Sequence, residues 1–412
     1  MASRLIFHID VNSAFLSWEA ARRVSRGESD LRLIPSAIGG DPERRTGIIL
    51  AKSIPAKKMG VKTGEPIGMA LRKCPELVLA RPDFRLYEKN SRAFMDICRE
   101  YAPVVEKYSI DECFLDMSGT STIYPDPIAT AHEIKNKIRD TLGFTVNVGI
   151  GSNKLLAKMA SDFEKPDKVH TLFSHEIEEK MWRLPVRELF TVGAAPADRL
   201  EAAGIKTIGD LARRELRSVQ YTVGKKLGEQ IHRFANGIDD SPVLAPHDAA
   251  KGYSNSTTLS QDVTDKETAH RVLLALCDSV ASRMRADGAT AACISVTVRT
   301  RDFRDRSHQR HFDVATDITD EIYELSKSLL SELWDFHTPL RLIGVSLTDV
   351  SREGNEQLSI FGNEKRSKAR AVDKAVDKIR GKYGSDTIVR GSSYKSDLNV
   401  GKKHKAQMDI KK

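Results

Sequence analysis

Three acidic residues interrupt apolar surroundings. Asp10 breaks the opening run RLIFHIDV, and Asp111 and Glu112 stand side by side in YSIDECFLDMSG (108–119), near apolar Ile110 and Phe114. Adjacent carboxylates repel each other, and strands disfavour acids. Three carboxylates from two separated segments suit a pair of divalent cations that bridge a substrate. Mg²⁺ takes oxygen ligands, so a few carboxylates plus phosphate oxygens would complete its shell. Geometry adds a condition. On a straight strand Asp111 and Glu112 would point to opposite faces, so the chain must turn around Ser109–Asp111 if both are to reach one site. Taken alone, the same dipeptide could simply pair with Lys or Arg on a surface strand.

The elements that must position these acids follow from pattern. RLIFHIDV reads as a strand, 13–25 as a helix, and IGGDPERRTG as a loop with turn signals. IILAKS reads as a strand, and IPAKKMG as a helix start with Pro55 in its first turn. An amphipathic helix over 86–102, two strands within 104–117, a helix over 127–142, the strand TVNVGI and a helix NKLLAKMASDFEK ending at Pro166 complete an α/β first part. Residues 184–213 change to short helices around AGIKT, with Thr207 and Asp210 placed for a capping box. A helix–Gly hairpin–helix unit offers backbone N–H groups to phosphates without reading sequence, although compact helical linkers look similar. GIDDSPVLAPHDAAKG (237–252) reads as a linker.

Residues 252–349 read strand, helix, strand, strand, helix, strand, the βαββαβ order of a ferredoxin-like domain. Thr264 and Glu267 are placed to cap its first helix, and Gly288 to end it. In ACISVTVRTR, Ile294, Val296 and Val298 face one way, and Ser295, Thr297, Arg299 and Arg301 the other. Such a hydroxyl and guanidinium face suits a nucleic-acid backbone or plain solvent. QLSIF (357–361) then places apolar residues in a polar context, and 364–384 reads as a basic amphipathic helix before a polar end.

Composition narrows the class. The 412 residues are 40% hydrophobic and 30% charged, enough for several globular domains, with no uncharged run long enough to span a membrane. The N-terminus lacks signal-peptide character. Five scattered cysteines, with no C-x-x-C pair, imply free thiols in a reducing, cytoplasmic setting. The net charge of +8 resides in residues 352–412, where 16 basic residues face 8 acidic ones. The rest of the chain is balanced, so any nucleic-acid surface there must be a local patch.

The combination of HIDVNSAFLSWE (8–19), AKSIPAKKMGVKTGEP (51–66), YSIDECFLDMSG, GIGSNKLLAKMASDFEKP (149–166), the hairpin at 203–207, NSTTL (255–259) and QLSIF resembles the Y-family of translesion DNA polymerases, in its polymerase IV/V-like bacterial branch. The resemblance runs over 4–361. It implies a right-hand polymerase with a ferredoxin-like palm (1–12 and 78–165), small fingers (13–77), a helical thumb with a helix-hairpin-helix (166–240), a linker (241–251), a βαββαβ little finger (252–351), and a clamp-binding motif with a basic tail (352–412).

The resemblance also implies roles. Asp10 and Asp111, with the Val11 carbonyl and Glu112, would hold two Mg²⁺ ions for primer extension with dNTPs. Phe15 would lie under the sugar and exclude a ribose hydroxyl, and Lys57 and Lys154 would contact the triphosphate. Gly204, Arg299 and Arg301 would meet primer-template DNA. Gln357, Leu358, Ile360 and Phe361 would bind a sliding clamp. A monomer with low fidelity and processivity is expected, serving damage tolerance. One departure stands out: the family's triphosphate-binding Tyr is Ile54 here, which cannot donate a hydrogen bond, leaving Ser53 or Lys52 as substitutes. The thumb also carries Ala in VGAAPADRL where a basic residue is common. A non-catalytic DNA- and clamp-binding protein of this fold, or a cyclase-like enzyme, are the competing readings. Neither explains all three acids together with the hairpin and QLSIF.

Overall fold

The computed structural model describes residues 4–40, 47–244, 250–352, 363–384 and 387–391. They form two compact units, one built from residues up to 244 and one from residue 250 onward.

The first unit begins with β1 (Ile6–Val11), α1 (Ala14–Val24), β2 (Ser36–Gly39), β3 (Ile49–Lys52), α2 (Ile54–Lys58), α3 (Ile67–Lys73), β4 (Val78–Ala80) and α4 (Phe84–Arg99). It continues with β5 (Val104–Lys107), β6 (Glu112–Asp116), α5 (Pro127–Leu142), β7 (Val146–Gly151), α6 (Lys154–Asp162) and β8 (Val169–Leu172). Four short helices close it: α7 (Ala194–Ala202), α8 (Ile208–Arg213), α9 (Leu216–Val223) and α10 (Lys225–Ala235).

Its main sheet runs β5-β6-β1-β7-β8, and a small sheet runs β3-β2-β4. Two expected boundaries shift. β8 pairs parallel with β7, so the sheet extends past 166, and β4 pairs with β2, so residues 78–80 belong to the small sheet. Isolated three- and four-residue strands carry too little periodicity to be assigned by pattern.

β1 alternates strictly. Phe7, Ile9 and Val11 pack with Trp18, Tyr87, Phe94, Ile134 and Ile138 in the largest core. Each such buried side chain contributes about 1.5–3 kcal/mol. The opposite face carries Ile6, His8 and Asp10, and there α6 lies across β1 and β7. The approach is very close at two glycines. A Cβ at Gly149 would stand 2.0 Å from the Ala157 carbonyl oxygen, and one at Gly151 would stand 2.6 Å from the Ala157 nitrogen. The helix is capped by Asn153, whose side chain accepts from Leu156 N–H. It stops at Asp162, before the expected end at Pro166.

α7 and α8 form the expected hairpin. Gly204 turns it at φ 81°, and Thr207 with Asp210 makes the capping box. Trp182, Leu200, Ile208 and Leu211 lie in or against their core.

The second unit contains β9 (Tyr253–Val263), α11 (Lys266–Ala286), β10 (Thr290–Thr300), β11 (Asp305–Thr316), α12 (Thr319–Leu333), β12 (Leu340–Ser351) and α13 (Asn363–Tyr383). The βαββαβ order gives an antiparallel sheet β11-β10-β12-β9. The cap on α11 is Asp265, which accepts from Thr268 N–H, in place of the expected Thr264. Asp and Thr are both good caps, and the strand's end point decides between them.

The basic helix α13 packs through charge. Arg285, only 4% exposed, is paired with Asp377 at 2.6 Å and Asp373 at 3.3 Å, and Arg370 meets Asp317 at 2.6 Å. Asp373 also accepts the Thr319 N–H at 2.8 Å, which supplies the cap that α12 lacks locally. All five cysteines are buried free thiols. No helix among the described residues is long and apolar enough to cross a membrane.

The glycine contact yields a direct expectation. Gly149→Ala should cost about 3 kcal/mol of stability, because backbone must move to admit the methyl group. Urea unfolding would show this as a lower midpoint, and an unchanged midpoint would contradict the close seating of α6.

Candidate active site

Sheet register assembles the acids. Asp10 on β1 lies opposite Glu112 on β6, so both side chains emerge on the same face. The turn demanded by the sequence is present. β5 ends at Lys107, β6 begins at Glu112, and the Tyr108 and Ser109 N–H groups bond back to the Glu112 carbonyl. Asp111 therefore sits in the turn. Ser109 Oγ donates to its carboxylate at 2.5 Å, and the Asp111 carbonyl accepts Val11 N–H at 3.0 Å. Asp10 and Asp111 line one cleft of about 240 Å³ together with Val11, Ser13, Ala14, Phe15, Leu50, Ala51, Lys52 and Thr63. Phe15 is fixed there by stacking on Tyr87, with ring centroids 4.5 Å apart.

Helix α6 and the segment after it supply the compensating charge. Lys158 Nζ lies 2.9 Å from Glu112 Oε1, 3.6 Å from Asp10 Oδ2 and 3.3 Å from Asp162. Lys165 Nζ lies 2.8 Å from Asp10 Oδ2. Burial pushes Asp10 up to about 6, against the pull of Lys165 and Lys158. Burial also opposes the charge on Glu112, but the His8 ring and Lys158 outweigh it and hold this group well below the ordinary carboxylate range. The donors are all oxygen and attract ammonium groups as they stand, which fits a hard divalent cation.

The placement of the expected cations is mixed. Lys154 does not line the cleft and is paired with an acid outside it. Its ammonium is held by both oxygens of Glu106 at 2.7 and 2.8 Å and lies over the Phe114 ring. Lys154 occupies the first position of α6, one helical turn before Lys158 on the same face. Lys158 and Lys165 are the residues that pattern reading missed. Their signal was available: Lys158 follows Lys154 by one helical turn, and Lys165 precedes the proline that ends the segment.

Lys57 is exposed on α2 and absent from the cleft wall. Lys52 does line the cleft, hydrogen-bonded to Thr63 at 3.0 Å. Burial and the neighbouring Lys57 depress its pKa, and no carboxylate among the described residues lies within ion-pairing distance of it. Ser53 is spent: its hydroxyl donates to the Ile34 carbonyl and accepts from Ala56 N–H and Ser36 N–H. Ile54 is exposed. Of the two candidate substitutes, Lys52 is the free one.

In the second unit the basic face is more neutral than its sequence suggests. Arg299 is bound bidentately by Asp305 at 2.5 and 2.8 Å, while Arg301 is 77% exposed and 3.8 Å from Asp262. The hairpin brings an acid across from Arg299, which strand alternation could not reveal. QLSIF lies outside the described residues.

Comparison with known proteins identifies the family. Residues 9–162 match the impB/mucB/samB family, residues 250–360 its C-terminal domain, and residues 187–239 the DNA polymerase-iota thumb domain. The chain is 43% identical to DNA polymerase IV of Clostridium acetobutylicum over 389 residues, covering 94% of this chain and 98% of that one. It is 37% identical to DNA polymerase IV of Clostridium kluyveri, covering 96% and 100%, and 34% identical to DNA polymerase IV 1 of Bacillus subtilis, covering 96% and 94%. A solved Y-family DNA polymerase chimera superposes with a TM-score of 0.72 at 24% identity, over 84% of this chain and 99% of that one. The chain therefore belongs to the Y-family of DNA polymerases, within its DNA polymerase IV group.

Removing Lys158 should expose the carboxylate repulsion. Lys158→Met is expected to cost about 3 kcal/mol without divalent cation, as for a broken buried pair. Added Mg²⁺ should recover much of this in thermal unfolding. An equal loss with and without Mg²⁺ would contradict the reading.

Proposed function

We propose that this DNA-directed DNA polymerase adds dNTPs to a primer 3′ end, opposite a template strand, through two Mg²⁺ ions held by Asp10, Asp111, Glu112 and the Val11 carbonyl. The observation that carries the reading is the convergence of Asp10 and Asp111 on one cleft, with Glu112 opposite Asp10. The cations would supply charge neutralisation for in-line phosphoryl transfer. Asp10, bound to Lys165 in the absence of metal, would exchange that contact for a divalent cation. Lys165 is then free to reach phosphate, a developing negative charge near its present place. Phe15, rigid against Tyr87, forms the floor on which a deoxyribose rests and a ribose hydroxyl would clash.

The family's small fingers correspond to the three-stranded sheet and its helices, the palm to the five-stranded sheet, the thumb to the helical hairpin region, and the little finger to the βαββαβ unit. A lightly enclosed nascent pair suits damaged templates, and the family membership makes translesion synthesis the function. QLSIF supports tethering to a sliding clamp through Gln357, Leu358, Ile360 and Phe361, which would raise the local concentration of enzyme on DNA. Gly204 and Arg301 remain available for DNA, with Arg299 conditional on release from Asp305.

Primer extension tests the reaction. Asp111→Ala should abolish incorporation while the wild type extends, and equal extension by both would refute the carboxylate assignment. Lys52 supplies a second test. With Ile54 unable to donate and Ser53 occupied, Lys52→Met should raise the KM for dNTP about tenfold with a smaller change in kcat, the size of one charged hydrogen bond. Adding Ile54→Tyr should restore part of it, and an unchanged KM in Lys52→Met would remove Lys52 from the phosphate site.

A further inference from the structure

His8 is a buried group that the carboxylate mechanism does not use. It lies at the centre of β1 with 0% exposure, two residues before Asp10 and on the same face. Its ring packs at 4.6 Å against Phe114, the residue paired with it on β6. Nδ1 is 2.8 Å from Ser161 Oγ on α6. Nε2 has no hydrogen-bond partner and stands 3.7 Å from Glu112 Oε2, while Lys158 holds the other oxygen, Oε1, at 2.9 Å. A buried nitrogen left unpaired costs about 1–3 kcal/mol, so its retention beside a carboxylate calls for a reason.

The Ser161 hydroxyl has one proton and two acceptors in reach, His8 Nδ1 and the Lys158 carbonyl at 2.8 Å. If the proton goes to Lys158, Nδ1 must carry the ring proton, and the Nε2 lone pair then faces an ionised carboxylate. If it goes to Nδ1, the ring proton lies on Nε2 and points at Glu112. An ionised Glu112 selects the second arrangement. The fully buried ring has one proton to place in either case. A small rotation of the Glu112 carboxylate brings Nε2 within the roughly 2.7–3.2 Å of an N–H···O bond.

We propose that His8 is a positioning residue for Glu112: anchored by Ser161, its Nε2–H would hold Oε2 when the carboxylate leaves Lys158, keeping Oε1 oriented for a divalent cation. This rests on the reading of Glu112 as a metal ligand. Carboxylates that ligate metals are commonly held by such outer partners, whose loss weakens metal binding about 10–100-fold.

The test measures Mn²⁺ binding to the enzyme–primer–template complex by electron paramagnetic resonance, alongside single-turnover insertion and thermal melting. His8→Phe keeps the ring shape and removes the donor, so Mn²⁺ affinity should fall about tenfold. His8→Gln places an amide N–H at the Nε2 position and should recover most of the loss, whereas Ser161→Ala should fall between. In a Glu112→Gln background, His8→Phe should add nothing. Mn²⁺ affinity within about twofold of wild type in both His8→Phe and Ser161→Ala overturns the proposal, since an outer partner should exceed that. Where His8→Phe melts early, Ser161→Ala decides alone on the same criterion. If Glu112→Gln itself leaves Mn²⁺ binding intact, the metal-site reading has failed instead, a separate result.

Discussion

The seating of α6 on β1 and β7 is the contact on which the site depends. Glycine at 149 and 151 lets the helix backbone come within reach of the strand backbone. A methyl group at either position would force the two backbones apart. Only the close approach brings Lys158 to Asp10 and Glu112, and Ser161 to His8. The helix ends at Asp162, and that early stop returns Lys165 to Asp10. One backbone feature thus sets the positions of two cations and a histidine anchor.

The electrostatics follow from that placement. Two carboxylates facing each other across adjacent strands would repel, and burial raises the cost of their charge. The lysines offset this before any cation arrives, unequally. Asp10 remains raised, whereas Glu112, with His8 and Lys158 beside it, is held low. The site is thus held together by ammonium–carboxylate contacts from Lys158 and Lys165. At the cleft's far wall, by contrast, Lys52 carries charge without an acidic partner among the described residues.

Much of this was legible in the residues. The acids stood out because they broke strand patterns, and the doubled pair at 111–112 implied the turn that the structure contains. The helix over 127–142 and the βαββαβ unit followed from strong periodicity and caps. What pattern reading missed depends on tertiary position. Lys154 and Lys158 share a helix face, yet Glu106 captures one while Glu112 and Asp10 receive the other, and sequence spacing alone does not rank them. Arg299 looked available until the β10–β11 hairpin placed Asp305 against it. The strand β8 was too short to show a period. Pattern gave the basic amphipathic helix over 364–384 but not its partner: Asp373 and Asp377 lock it to Arg285, because ion pairing between distant segments leaves no mark in local composition.

The most direct test of the account is anomalous scattering from Mn²⁺ in crystals of the enzyme with primer-template and a non-reactive dNTP analogue. Two anomalous peaks are predicted, coordinated by Asp10, Asp111 and Glu112, with Lys165 displaced from Asp10 toward phosphate. Cation density elsewhere, or Lys165 still bound to Asp10 beside an occupied nucleotide site, would contradict it.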